Sequence, residues 1–347
     1  MTARSYSKVC ARHRWKYWGR DRNKHWQCYS CHQSARSFYQ CSECWQYHCV
    51  ACIDPGSHDN LSSSLDVAQH RISLSAKQWI TDAQTRFAKH GFVIIDNVLT
   101  PGHQLDVLTA CQRAAEEIVG TEKAGNRGPG RYSFGVASST GGMLHEESFA
   151  LQLLGVACSK LYPLLEHIFD GGTLDGFICT GAGGDFVLGG TAEDQYLHSD
   201  MRVEEKYNVR LPPPMISVNF VVQDLTCMNG PTRMIPGTQL CQGQVPDPIP
   251  DDWRHSCLYP VPSGAAIIRD VRVLHSGTPN LTQTTRYLPS IEFVSSDFRS
   301  SERRDCFPPW RCLPSEMYEA LPCPIKKTCK EIVAGKDSKL FVSYRKT

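Results

Sequence analysis

The stretch DQYLHSDM, residues 194–201, and the short β-rich runs around it decide the fold class. After Gly171 such runs are separated by Gly, Pro and Asn, and they read LDGFICT, DFVLGG, QYLHSD, PMISVNFVVQDL, PTRMIP, GAAIIRD and RYLPSIEFVSS. Strands at this spacing are typical of a sandwich or a jelly-roll barrel.

The segment before these runs predicts helices. Apolar residues recur at helical spacing at Trp79, Ile80, Ala83 and Phe87. Gly91 ends this helix, FVIID follows as a short strand, and Pro101 opens a second helix. A third helix is expected over about residues 146–169. Helices first and strands later favour an α+β body, a β-barrel buttressed by helices on one side.

Composition is that of an ordinary globular chain. The 347 residues are 41% hydrophobic and 21% charged, and a net charge of +2 gives no general argument for binding nucleic acid or membranes. The start, MTARSYSKVC, lacks the apolar run of a signal peptide, and we expect no membrane span. These features predict an intracellular protein, cytoplasmic or nuclear.

Cysteine is abundant, and seven of the 17 cysteines fall between Cys10 and Cys52. Without a secretory signal, a metal site is a better interpretation than disulfides. Four pairs with a two-residue gap supply eight ligands, which suffice for two tetrahedral zinc ions. The pairs are Cys10 and His13, Cys28 and Cys31, Cys41 and Cys44, and Cys49 and Cys52. His48 or His58 could replace one of them.

The stretch CYSCHQSARSFYQCSECWQYHCVAC resembles ZZ-type and related cross-brace zinc domains. The resemblance implies a module that binds proteins or peptides. Residues 1–60 also carry nine Lys and Arg against four Asp and Glu, with aromatic residues between them, which permits an acidic or nucleic-acid partner. Solvated loops around a zinc core would have the same composition.

The predicted organisation has four parts. Residues 1–60 form the zinc-binding domain, and the polar residues 61–74 form a linker. Residues 75–300 form the helix-buttressed barrel. Residues 301–347 form a C-terminal docking segment with Trp310 and Leu321 as candidate anchors.

Two histidine-x-acid triplets compete as half of a metal site, His145-x-Glu147 and His198-x-Asp200. On a strand, residues i and i+2 point to the same side and can reach one ion, whereas on a helix they diverge. Because His145 opens a predicted helix and His198 ends a predicted strand, the second triplet is the better chelate.

A third ligand is available at the end of another strand-like run, IIRDVRVLHSGTPN, which contains His275. Two histidines and one carboxylate on one face form the facial triad of non-haem iron(II) oxygenases, which leaves positions for a 2-oxo acid and dioxygen. The far carboxylate of a 2-oxo acid needs a fixed cation. Arg286 stands eleven residues past His275, where a hairpin would return it to the site.

The stretches FAKHGFVIIDNVL, HSD, NGPTRMIPGTQ and HSGTPNLTQTTR resemble the phytanoyl-CoA dioxygenase family of iron(II)/2-oxoglutarate oxygenases, over roughly residues 75–300. The resemblance implies a double-stranded β-helix with iron ligands His198, Asp200 and His275, with Arg286 binding 2-oxoglutarate, and with Gln195 and Thr232 as further contacts around the site. Gln239 stands where the family often has a histidine, and the role of this position is open.

The implied reaction is hydroxylation of a small organic or lipid-type substrate, with 2-oxoglutarate decarboxylated to succinate and CO2 and ascorbate as reductant in assays. The retained Asp200 favours hydroxylation over halogenation, while desaturation, epoxidation and ring formation stay open. Two other functions are also open: an oxygenase acting on a protein or nucleic acid recruited by residues 1–60, and a non-enzymatic adaptor with a degenerate barrel. The loop NRGPGRYSFG, with Arg131 and Tyr132, either lines the pocket mouth or is a plain surface connection.

Overall fold

The structure is a computed structural model. It describes residues 64–121, 125–135, 142–169, 176–201, 213–241, 243–296 and 311–335, together with residues 298, 340 and 342. Before residue 64 it describes only five short strands: β1 (Trp15–Trp18), β2 (Trp26–Gln27), β3 (Ser34–Ala35), β4 (Phe38–Cys41) and β5 (Tyr47–Cys49). Strand β4 pairs with β1 and β5, and β2 pairs with β3.

A seven-stranded sheet organises the rest of the chain. Its strands are β6 (Arg71–Ser73), β7 (Phe92–Asp96), β8 (Arg131–Ser133), β9 (Phe177–Val187), β10 (Met215–Phe220), β12 (Ala266–Asp270) and β14 (Arg286–Ser295). Their order in the sheet is β6-β7-β12-β10-β14-β9-β8. Strand β6 runs parallel to β7, and the other neighbours pair antiparallel. The sheet is therefore mixed.

Helices cover one face of this sheet. They are α1 (Trp79–His90), α2 (Pro101–Thr121) and a π-helix (Ser148–Ala157) that continues into α3 (Cys158–Ile168). Alternation along β7 divides its side chains between the two faces, so Val93 and Ile95 join the core under the helices while Phe92 and Ile94 join a second core. Burial on both faces explains why FVIID reads as a continuous apolar run.

The second core lies between the large sheet and a smaller one. The smaller sheet consists of β11 (Thr232–Met234) and β13 (His275–Gly277), and isolated bridges join His198 to His275 and Leu225 to Val261. A 3-10 turn (Thr238–Leu240) and the short helix α4 (Asp251–Arg254) connect these strands. The predicted α+β class is confirmed, as a mixed sheet with helices on one face.

The C-terminal residues dock on the helical core. They form β15 (Leu313–Pro314), α5 (Ser315–Ala320), α6 (Cys323–Thr328), a 3-10 turn (Lys330–Ile332) and β16 (Val333–Ala334). Leu321 is only 5% exposed and belongs to the core under the helices, in the place expected of an anchor. Trp310 lies outside the described residues.

Residues 64–74 differ from the predicted linker. They contain a 3-10 turn (Val67–His70) and strand β6, which pairs with β7 at the edge of the sheet. Val67 and Ile72 are buried and hold the segment against the body. Because the stretch is mostly polar, its two apolar anchors were not recognised in the sequence. Two anchors suffice to hold the segment, because the neighbouring strand supplies its backbone hydrogen-bond partners.

One helical run, Ser148–Ile168, is long and apolar enough to cross a membrane by length and composition alone. About half of its most apolar part (56%) is buried inside the protein, and Phe149, Leu153 and Leu161 belong to the core under the helices. Packing against that core accounts for its apolar character.

Candidate metal centre

An isolated backbone bridge at the start of β13 brings the predicted metal ligands together. The amide of His198 donates to the carbonyl of His275 over 3.0 Å, and the amide of His275 donates back to His198 over 2.8 Å. Two residues further on, the amide of Asp200 donates to the carbonyl of Val271 over 3.0 Å. Backbone pairing therefore sets the separation of the three side chains.

The three side chains converge on one point. One ligand atom from each of His198, Asp200 and His275 lies within 4.8 Å of the other two. Oδ1 of Asp200 is 3.7 Å from Nε2 of His198 and 3.5 Å from Nε2 of His275. In the part of the chain that the structure describes, this is the one such group of His, Cys, Asp or Glu.

Hydrogen bonds orient both imidazole rings toward that point. Nδ1 of His198 lies 2.9 Å from the carbonyl oxygen of Tyr196, and Nδ1 of His275 lies 3.0 Å from that of Val273. A carbonyl oxygen only accepts, so these contacts favour a proton on each Nδ1; for His275 the carbonyl is closer than the other neighbour of Nδ1, the Nη1 donor of Arg269 at 3.4 Å. The lone pair of each ring is then on Nε2, the atom that faces Asp200, as a histidine ligand requires.

Electrostatics favour the same protonation states. Burial, followed by the nearby Arg269 cation, lowers the pKa of His275 to about 3. Burial tends to raise the pKa of Asp200, but Arg269 and His275 outweigh it and hold that pKa below its ordinary value. At neutral pH His275 is therefore neutral and Asp200 ionised. Imidazole nitrogen and one carboxylate form a donor set that fits a divalent transition metal.

Arg286, the predicted co-substrate residue, begins β14 and is 3% exposed. Its Nε donates to the carbonyl of Gly230 over 3.1 Å, while the buried Nη1 has no hydrogen-bond partner among the described residues. Burial, then the nearby Arg131, lowers the pKa of Arg286 to about 10, so the group stays charged at neutral pH. A buried cation with an unpaired donor favours the binding of an anion.

The register of the sheet explains why two arginines lie close together. Val187 of β9 pairs with Arg286 of β14 on one side and with Arg131 of β8 on the other. Residues in register across a sheet point to the same face. Arg131 is held by the carbonyls of Glu193 and Thr278. The loop before β8 thus leads to the cleft, one of the two alternatives for it: Arg131 points into the cleft, whereas the ring of Tyr132 packs in the core under the helices.

Gln195 and Thr232 also lie in this cleft, on either side of Gly277. The Oε1 atom of Gln195 accepts from the amide of Gly277 over 3.0 Å, and Thr232 pairs with Gly277 between β11 and β13. A Cβ on residue 277 would lie 2.8 Å from Oε1 of Gln195 and 2.5 Å from Nη1 of Arg131. The glycine lets these side chains approach the backbone next to His275.

The cleft contains the three ligands, Arg286 and a set of residues that were not predicted from the sequence. Its empty space is about 700 Å3 when the open mouth is included. The residues not predicted share the inward face of the large sheet, and they are Asp185, Ser217, Asn219, Arg269, Leu288 and Ser290. The sequence pattern that could have identified them is a polar residue at every second position of an otherwise apolar strand.

The competing histidine is not part of the metal cluster, and the predicted zinc ligands are not among the described side chains. His145 lies just before the π-helix, with Nε2 3.3 Å from Oε1 of Glu146, and it is not part of the cluster. The side chains of the predicted zinc ligands Cys10, His13, Cys28, Cys31, Cys41, Cys44, Cys49 and Cys52, and of the alternatives His48 and His58, lie outside the described residues.

Comparison with solved structures finds similar chains at low identity. The epimerase SnoN, in complex with Fe3+, alpha ketoglutarate and nogalamycin RO, is 13% identical with a TM-score of 0.45, and the match covers 62% of this chain and 83% of SnoN. AviO1 from Streptomyces viridochromogenes Tue57 is 19% identical with a TM-score of 0.44, covering 64% and 97%. The non-heme monooxygenase ThoJ is 16% identical with a TM-score of 0.45, covering 61% and 76%.

No curated protein sequence matches the chain. The model of the family "Phytanoyl-CoA dioxygenase (PhyH)" matches residues 186–287. This segment contains His198, Asp200, His275 and Arg286, which the fold brings into one cleft. The family match therefore spans the segment of the chain that builds the candidate metal centre.

Proposed function

We propose that this protein is an iron(II)/2-oxoglutarate-dependent dioxygenase that hydroxylates a small organic substrate. One observation carries the proposal: the His198, Asp200 and His275 cluster shares a cleft with Arg286, a buried arginine whose Nη1 has no partner among the described residues. The large sheet and the smaller β11–β13 sheet are, in this proposal, the two halves of a double-stranded β-helix.

The donor set supports iron(II) as the metal. His198 and His275 would each present Nε2 and Asp200 one oxygen, the arrangement that leaves one side of the ion open. Bound iron(II) would supply activation of dioxygen, coupled to decarboxylation of 2-oxoglutarate to succinate and CO2. The protein's part is to bind, to orient and to exclude water.

Arg286 supports 2-oxoglutarate as the co-substrate. Its planar guanidinium matches the carboxylate remote from the keto group, and its burial strengthens the pairing by keeping water away. Gln195 and Thr232 lie in the same cleft and would bound this co-substrate on the side of the smaller sheet.

The lining of the cleft supports a polar substrate rather than a lipid tail. Most of its lining residues are polar, and apolar side chains come from Val187 and Leu288. Asn219 and Ser290 offer hydrogen bonds from the inward face of the sheet. Buried polar groups of this kind favour substrates that pair with them.

The test is succinate formation from 2-oxoglutarate by purified full-length protein with iron(II), ascorbate and oxygen. Enzymes of this chemistry turn over 2-oxoglutarate slowly without substrate, so a product is expected before the substrate is known. His198→Ala should abolish it. His145→Ala, the other histidine-x-acid triplet, should leave it at the wild-type rate. Absence of succinate together with absence of 2-oxoglutarate binding would refute the proposal and favour the adaptor.

We further propose that residues 1–60 hold two structural zinc ions through the four ligand pairs given above. Metal analysis of full-length protein should find about two zinc ions per chain. Replacing Cys28 and Cys31 by Ser should remove about one of them. An unchanged zinc content in that variant would contradict the assignment.

A further inference from the structure

Arg269 contacts the candidate metal centre from the inward face of the large sheet. It lies on β12, its side chain is 7% exposed, and its Nη2 is 2.8 Å from Oδ2 of Asp200. Its Nη1 lies 3.4 Å from Nδ1 of His275. Within the described part of the chain, Asp200 is the one carboxylate with which Arg269 forms an ion pair.

The two oxygens of Asp200 face different groups. Oδ1 faces Nε2 of both histidines, at 3.7 and 3.5 Å. Oδ2 faces away from them to the Arg269 guanidinium. A charge-assisted hydrogen bond of 2.8 Å is in the strong range, and it engages the lone pairs that a metal would otherwise share.

The position of Arg269 is fixed by the sheet. Ser217 of β10 pairs with Arg269 on one side and with Glu292 of β14 on the other, so the three share one inward-facing row. Glu292 is 1% exposed, and burial, then the charge of Asp200, raises its pKa to about 8. A neutral Glu292 does not compete with Asp200 for the arginine at neutral pH.

We propose that Arg269 is a positioning residue that restricts Asp200 to one metal-binding oxygen, Oδ1. A carboxylate that used both oxygens would occupy one more position around the ion, at the expense of the ligands that the reaction needs. The inference rests on the metal site of the proposed function, and it concerns the mode of ligation rather than the reaction.

Infrared difference spectroscopy distinguishes binding through one oxygen of Asp200 from binding through both. The metal used is Mn(II), an ion that needs no oxygen-free handling. The gap between the two carboxylate stretching bands is wider for one bound oxygen than for two. Bands that appear on adding Mn(II) and vanish in Asp200→Asn belong to Asp200. We expect a wide gap in the wild type, and in Arg269→Met a narrow gap with Mn(II) affinity about 10- to 100-fold lower. A narrow gap in the wild type, or an unchanged gap in Arg269→Met, overturns the inference.

Two arginine-to-lysine variants provide the control, and they also cover the case in which Arg269→Met does not fold. Arg272, three residues on, is also buried and pairs with Asp270 instead of Asp200. Arg269→Lys should weaken Mn(II) binding, whereas Arg272→Lys should not. Equal affinities in the two variants overturn the inference. A wide wild-type gap without 2-oxoglutarate turnover would refute the proposed function and leave the inference standing.

Discussion

His198 and His275 are joined by two backbone hydrogen bonds, one in each direction, at 3.0 and 2.8 Å. The pair is thus held by strand pairing rather than by the metal. A ligand set held in this way needs little rearrangement when the ion arrives, which favours tight and specific binding.

Arg286→Lys should weaken 2-oxoglutarate binding by roughly 10- to 100-fold, because lysine loses the planar fork and one charge-assisted hydrogen bond of about 1.5–3 kcal/mol. Calorimetry with Mn(II)-loaded protein measures the dissociation constant of 2-oxoglutarate. Arg233→Lys is the matched control: this arginine donates to the carbonyl of Arg254 and to Ser276, and it is not part of the cleft lining. An equal loss in both variants would show that Arg286 has no special role.

Gly184→Ala should destabilise the protein by about 2–4 kcal/mol. Gly184 has a φ of +105°, and a Cβ there would lie 2.2 Å from the carbonyl oxygen of Leu288 on the paired strand. Gly120→Ala, in α2, meets nothing within 4 Å and should be neutral or stabilising by up to about 1 kcal/mol. Urea denaturation of the two variants provides the comparison, and similar free energies of unfolding would contradict it.

Because of His70, the free energy of unfolding should decrease as the pH falls from 6.5 toward 4. Burial, then the nearby His90, lowers its pKa from 6.5 to about 4. Between these values the unfolded state binds the proton and the folded state does not, so stability is present above pH 6.5 and declines below it, by up to roughly 3 kcal/mol.

His70→Phe tests this dependence, since a phenyl ring preserves the stacking on Phe92, with centroids now 4.7 Å apart, and does not titrate. Unfolding free energies at pH 7 and pH 4.5 should differ less in the variant than in the wild type. Parallel pH profiles for the two proteins would mean that other groups cause the acid sensitivity.

Leu321→Ala should cost about 2–4 kcal/mol if the C-terminal residues are an integral part of the core. Leu321 is 5% exposed and packs with the π-helix residues in the core under the helices. Leu105→Ala is the control: Leu105 is 64% exposed, and its truncation should change stability by less than about 0.5 kcal/mol. Thermal or urea unfolding that finds the two variants equal would argue against docking.

The parts of the site that follow local rules were predictable. The i, i+2 spacing predicted that His198 and Asp200 reach one ion, and the predicted turns placed His275 and Arg286 at strand ends, where β13 and β14 begin. Arg269 was not predictable, because its contact with Asp200 depends on which strands pair. Strand β10 lies between β12 and β14, and that order is set by packing between distant segments. Residues 64–74 were misleading for a similar reason, since Ile72 gains its burial from β7.

Each imidazole is oriented by a carbonyl two residues earlier in the chain, that of Tyr196 for His198 and that of Val273 for His275. This local arrangement gives a way to interpret distant mutations. We expect a substitution far from the centre that lowers metal affinity to leave each ring on its own nearby carbonyl and to loosen the backbone bridge between the two histidines. Hydrogen exchange at the amides of His198 and His275 would report that loosening residue by residue.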